Sequence, residues 1–276
     1  MNILKKSLVS IASHLFPDQI TAFAYNYLTN PQIRKLRTNE LVTLEKANKA
    51  KYKFKDFDIQ LYTWKGGEKY VLLIHGWEGQ AGNFSDLIEK LLASGFTVYS
   101  FDAPSHGFSS RGKTNFFEFT ELVGILIKKL CVKLLVSHSF GGVATTYALF
   151  QNQDIEIKKY VLITTPDKFT QRIDDVSEII GITDKVKNRL ITRLENETNS
   201  DVRNLNVSDF VKSINVKNAL IIHDINDKVI PIYRSKNVHQ NWTKSEFMKI
   251  DGTGHFRILR TEKVIDKVID YLNLIE

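Results

Sequence analysis

Cysteine is nearly absent: Cys131 is the only one in 276 residues. An intrachain disulfide is therefore excluded, which fits a reducing compartment. Cys131 stands just before an apolar, strand-like run and reads as a small buried hydrophobe, not a nucleophile. Long apolar runs are missing too. No window reaches the roughly 18 consecutive apolar residues that a membrane span needs. The opening stretch MNILKKSLVSIASHLFPDQ places Lys5 and Lys6 before LVSIA, but Ser10, Ser13 and His14 interrupt it, and no A-x-A site follows. It does not read as a secretory signal, so a cytoplasmic location is expected.

Acidic residues are scarce only at one end. Residues 1–56 carry 10 Lys or Arg against 4 Asp or Glu, while the rest of the chain is nearly neutral. No P-loop, zinc-finger or RNP signature accompanies the excess, so no nucleic-acid partner is expected. A basic arm of this kind is usually just solvated; the partner it suits is an anionic membrane surface, contacted weakly through residues 1–56.

What the sequence does have is alternation. Ile20, Phe23, Ala24 and Tyr27 recur at helical spacing before Asn30–Pro31 breaks the pattern, and a second short helix is expected over Thr38 to Ala50. FDIQLYTW then alternates as a half-buried strand, and Gly66–Gly67 turn it into KYVLLIHG. Beyond that point continuous apolar strands (YVLLI, FTVYSFD, KLLVS, KYVLIT, NALIIHD, EFMKI) are separated by helical patterns, the last being TEKVIDKVIDYLNLI. Apolar strands separated by helices mean a mostly parallel sheet covered on both faces. No strand pattern occurs between Thr165 and Ala219. Phe169, Ile173, Val176 and Ile180 form one helical stripe there, and Val186, Leu190 and Leu194 another. An insertion at the carboxyl end of a strand lies over the edge where such sheets bind ligands, so residues 166–215 read as a helical cap. Phe169 and Leu190 are its candidate pocket residues. The expected organisation is a basic helical extension over 1–56 and one large domain over 57–276.

The stretch LLVSHSFGGVATTYALF changes from strand to helix at Ser139. A turn this sharp holds its central residue in strained φ/ψ and brings the flanking positions Ser137 and Gly141 close together. It is G-x-S-x-G with serine in the first glycine position, and it aims a hydroxyl out of the fold. A hydroxyl is a poor nucleophile at neutral pH and needs an oriented histidine. His255, in DGTGHFRIL after the last strand, fits that role. His75 and His106 compete, but His75 ends a strand and suits a loop-shaping part. Asp227 in HDINDKVIP is the carboxylate expected to hold the imidazole, with Asp224 as the alternative nearer the strand end. An oxyanion needs backbone donors, for which Phe140 and Trp77 are the candidates.

The segments HGWEG, DAPSHGFS, SHSFGG, HDINDKVIP and GTGHFRIL resemble those of the α/β-hydrolase family, over Phe57 to the C-terminus. The chain is similar to little-characterised bacterial serine esterases that carry HGWEG. That resemblance implies an α/β-hydrolase fold, Ser139 as nucleophile, Asp227 as acid, His255 as base, a small ester as substrate, and no metal or organic cofactor. It departs from the family at Ser137 and in lacking an HGGG oxyanion loop. Thioester cleavage, acyl transfer and carbon–carbon hydrolysis use the same parts, and a non-catalytic binding protein on this fold is the rival of another class. The apolar stripes of the cap imply a preference for uncharged esters.

Overall fold

The computed structural model describes residues 3–32, 35–198 and 201–274. Its frame is an eight-stranded sheet of β1 (Asn48–Phe54), β2 (Phe57–Trp64), β3 (Lys69–Ile74), β4 (Phe96–Phe101), β5 (Leu134–His138), β6 (Ile157–Ile163), β7 (Val216–Asp224) and β8 (Ser245–Ile250). The spatial order is β1-β2-β4-β3-β5-β6-β7-β8. Strands β3 to β8 run parallel, while β1 and β2 are antiparallel to their neighbours.

The helices are α1 (Ile3–Leu15), α2 (Pro17–Thr29), α3 (Thr38–Glu45), α4 (Ser85–Ala93), α5 (Phe116–Leu130), α6 (Phe140–Gln151), α7 (Phe169–Ile180), α8 (Asp184–Thr198), α9 (Val207–Phe210), α10 (Ile232–Gln240), α11 (Gly254–Arg257) and α12 (Glu262–Asn273). Strand β3 shows why the central strands read as unbroken apolar runs. Val71 and Leu73 point into the core shared with α4 and α12, and Leu72 and Ile74 into the core shared with α5 and α6. Both faces are covered, so neither parity of the strand can be polar. Helix α5 starts where the Asn115 side chain accepts the Phe117 and Glu118 amides at 2.9 and 3.0 Å, and it buries Phe119, Leu122, Val123 and Leu126.

Four expectations change. Helix α3 stops at Glu45, and Asn48–Phe54 is a strand paired with β2, so the boundary at residue 56 moves back into the sheet. Lys49, Lys51 and Lys53 disguised it; exposed lysines are how an edge strand is kept from pairing with another chain. Strands β2 and β3 are not neighbours, because β4 lies between them. The Gly66–Gly67 turn therefore passes over the start of β4, where a Cβ on either glycine would sit 2.1 or 2.3 Å from the carbonyl oxygens of Phe96 and Gly95. Helix α10 carries no stripe regular enough to announce it. Cys131 is exposed, not buried: it caps α5 in the left-handed conformation, at φ 51°. Among the described residues there is no strand between β6 and β7; α7, α8 and α9 lie in the interval.

Candidate active site

Ser139 sits between β5 and α6 with φ 55° and ψ −126°, a conformation that costs a non-glycine residue about 1–3 kcal/mol. The surroundings impose it. The Ser139 amide donates to the Ile163 carbonyl at 2.9 Å, and the Gly142 amide closes the turn on the Ser139 carbonyl at 2.9 Å. The crowding that requires Gly141 comes from the neighbouring strand end, not from Ser137: a Cβ there would meet the His75 and Ile74 carbonyl oxygens at 2.4 and 2.6 Å. Ser137 is fully buried, and its hydroxyl lies 2.7 Å from that of Tyr160 on β6. A glycine at 137 would leave the Tyr160 hydroxyl without that partner, which explains the departure from the usual motif.

The loops after β7 and β8 bring two more side chains to this corner. His255 Nε2 lies 3.1 Å from Ser139 Oγ, and His255 Nδ1 lies 2.8 Å from Asp227 Oδ2. The other Asp227 oxygen accepts the amides of Val229 and Ile230 at 2.7 and 2.9 Å. Burial alone would raise the Asp227 pKa; the His255 hydrogen bond and those amides outweigh it and hold the carboxyl below its ordinary range. Asp224 has a different place. It does not reach His255; its Oδ2 accepts the Thr253 hydroxyl at 2.6 Å and the Gly254 amide at 2.8 Å. It thereby ties the β8–α11 turn, just before His255, to the end of β7.

The competing histidines are occupied elsewhere. His75 Nε2 accepts the Ala103 amide at 3.0 Å, so its proton is on Nδ1, which donates to the Gly76 carbonyl at 2.7 Å. Burial pushes its pKa down to about 4. His106 Nδ1 faces the Pro104 carbonyl at 2.8 Å, and burial holds that ring well below the usual histidine range. Both rings brace the loop that holds Gly76 and Trp77, which lies against the elbow: a Cβ on Gly76 would be 3.0 Å from Ser139 Cβ and 3.5 Å from the Phe140 amide nitrogen. Among the described residues, neither the Trp77 nor the Phe140 amide donates to another group. Phe140 also opens α6, whose positive end faces the site.

Residues 71–196 match the family model described as alpha/beta hydrolase family. No curated protein matches the chain. Among solved structures it is similar to the thioesterase domain of the curacin biosynthetic pathway, at 18% identity and TM-score 0.60, covering 83% of this chain and 99% of that one. It is similar to an esterase from Pyrococcus furiosus at 18% identity and TM-score 0.63, with 89% and 96% covered. Est1E from Butyrivibrio proteoclasticus, solved with ferulic acid, matches at 16% identity and TM-score 0.63, with 81% and 96% covered. The chain has the α/β-hydrolase fold.

On this α/β-hydrolase frame, Ser139 and His255 face two cavities. One, of about 200 Å³, has Trp77, Glu78, Lys35, Arg37 and Arg260 in its wall. The other, of about 100 Å³, lies toward the cap, against Phe140, Arg172, Asp175 and Arg234. The walls are partly charged, contrary to the apolar lining expected from the cap stripes. Phe169 lines a small apolar crevice beside the second cavity, with Phe116, Phe140 and Leu194. Leu190 does not: it is fully buried in the core and borders none of these spaces. Helical spacing identified its buried stripe but could not tell cap core from cap underside.

Three residues escaped the sequence reading. Lys35 and Arg37 reach the larger cavity from the segment between α2 and α3, where no motif marks them. His138, the residue before Ser139, donates from Nε2 to the His255 carbonyl at 2.9 Å, and its ring lies 4.9 Å from the His255 ring. Burial, and then the neighbouring His255, push the His138 pKa down to about 3. A neutral ring there steadies the His255 backbone without placing a second positive charge beside it. Its signal was in plain view as the variable position of the elbow.

Proposed function

We propose that this protein is a serine hydrolase that cleaves carboxylic esters through an acyl-enzyme. The observation that carries the reading is the unbroken hydrogen-bond chain Ser139–His255–Asp227, at 3.1 and 2.8 Å. Ser139 Oγ attacks the ester carbonyl as its proton passes to His255 Nε2. The tetrahedral oxygen takes the Trp77 and Phe140 amides, neither of which donates to another group among the described residues. The C–O bond to the alcohol then breaks, and the alcohol leaves with the proton from Nε2. Water repeats the sequence on the acyl-enzyme, giving the carboxylic acid and free Ser139. Asp227 keeps the His255 proton on Nδ1, so that Nε2 is always the basic nitrogen. In this reading residues 166–215 are a cap over the acyl side, and the segment around Lys35 and Arg37 walls the other.

The test is turnover of p-nitrophenyl butyrate by the purified protein and by Ser139→Ala. The variant loses at least about 10³-fold in kcat with an unchanged circular dichroism spectrum. A folded variant with parental activity removes Ser139 from the mechanism. A matched oxyester and thioester pair, assayed side by side, ranks the ester reading against the thioester alternative.

A further inference from the structure

Helix α1 is built inside out. Leu4, Leu8, Ile11 and Leu15 are between 58% and 68% exposed, and Phe16 just beyond them is 55% exposed. At 100° per residue the four aliphatic side chains fall within roughly 60° of one another, one continuous stripe. Ser13, on the opposite side, is fully buried and bonds the Val9 carbonyl at 2.8 Å. Lys6, Ser7 and Ser10 border an open space whose other wall is Asp174, Ser177 and Glu178, around α7. The backbone of Lys6 packs on Gly181, where a Cβ would meet its carbonyl oxygen at 2.8 Å. The helix is thus fixed to the protein by its polar side and offers its leucines to the outside.

The charge around the stripe selects the occupant. Lys5, exposed, borders it roughly 60° from its edge, Lys6 lies on the side that packs on α7, and no acidic residue precedes Asp18, which is itself paired with Arg189. A second copy of the helix is a poor partner. The stripe spans about two heptads where a coiled coil needs three or four, and its flanking positions Lys5, Ser7, Ala12 and His14 offer no acid to pair with Lys5 across a dimer. Nor does the helix span a membrane: no helix among the described residues is long and apolar enough. We propose that α1 is an interfacial helix that docks the protein on an anionic lipid bilayer, with the Leu4–Leu15 stripe in the acyl boundary and Lys5 among the headgroups. This is independent of the hydrolase reading.

The experiment is sedimentation of the full chain with vesicles of phosphatidylcholine alone and of phosphatidylcholine mixed with phosphatidylglycerol, at low and high salt. The parent binds the mixed vesicles, binds neutral ones less, and loses part of the difference at high salt. The combined variant Leu8→Ser, Ile11→Ser, Leu15→Ser binds mixed vesicles at least about tenfold more weakly. Its side chains are exposed, so its circular dichroism and thermal midpoint match the parent's. Lys5→Ala lowers the preference for mixed vesicles. Absence of binding to mixed vesicles, or equal binding by the triple-serine variant, overturns the proposal. So does a dimer in sedimentation velocity that the triple-serine change dissolves while vesicle binding is absent, since the stripe then covers a second copy.

Discussion

At the carboxyl edge of the sheet, four buried polar side chains are tied down: Asp224 to the Thr253–Gly254 turn, Asp227 to two amides and His255, His75 to Ala103, His138 to the His255 carbonyl. In α1 the arrangement is reversed, with Ser13 buried and Leu4, Leu8, Ile11 and Leu15 exposed. Buried hydrogen bonds at the edge fix side chains to within tenths of an ångström, because an unmet polar group there costs about 1–3 kcal/mol. The outward Leu8, Ile11 and Leu15 side chains of α1 leave apolar surface for something else to cover. Residues 166–215 lie between these extremes, with an apolar core and with Arg172 and Asp175 in the wall of the second cavity.

Asp224, at the end of β7, and Asp227, in the loop after it, sharpen this contrast most, being three residues apart with different partners. Asp227→Asn should lower kcat by about 10⁴-fold, because the amide stabilises the wrong imidazole tautomer. Asp224→Asn keeps an acceptor for the Thr253–Gly254 turn and should cost about tenfold or less, mostly as loosened positioning of His255. Single-turnover assays of both variants on one ester check the ranking; the reverse order reassigns the acid.

In the cap the contrast lies between Phe169 and Leu190. Phe169→Ala opens the crevice beside Phe116 and Phe140, so it should shift kcat/KM toward longer acyl chains by about five- to tenfold, a methylene in an apolar pocket being worth about 1–3 kcal/mol. Leu190→Ala should leave the chain-length profile alone and lose about 2–5 kcal/mol of stability, since it empties a fully buried site. A p-nitrophenyl ester series and urea unfolding on both variants separate the two roles.

The smallest effect concerns pH. Folded His75 and His138 refuse protons down to about 4 and about 3, whereas the unfolded chain accepts them near the usual histidine value of about 6.5. The unfolded state therefore binds more protons between those limits, and stability rises with pH across that window. The depressed Asp227 and Asp224 act in the same direction at the acid end, while the raised Asp102 opposes them. His138→Asn should flatten the dependence of the urea midpoint between roughly pH 4 and 6.5; an unchanged slope would mean that His138 is charged in the folded protein.

Where sequence reasoning worked, the physics was local. A strand running into a helix through S-x-S-x-G leaves the central side chain few orientations, so Ser139 could be placed from spacing alone. Asp227 and His255 followed because each lies in a short turn after a parallel strand, where that strand's carboxyl end must deliver it to the same edge. What failed was non-local. The crossing of the Gly66–Gly67 turn over β4 depends on strand order, which no window of sequence contains. Strand β1 was hidden by the lysines that protect it, and the side of α8 that Leu190 faces depends on how the cap sits.

The central claim, that Ser139 is an activated nucleophile, is tested most directly by the protein's reaction with a fluorophosphonate at neutral pH. Intact-mass and peptide analysis should show one phosphonyl adduct, on Ser139, formed with loss of esterase activity, absent from Ser139→Ala and much slower in Asp227→Asn. An unmodified protein under conditions that label a control serine esterase, or an adduct on another residue, would contradict it.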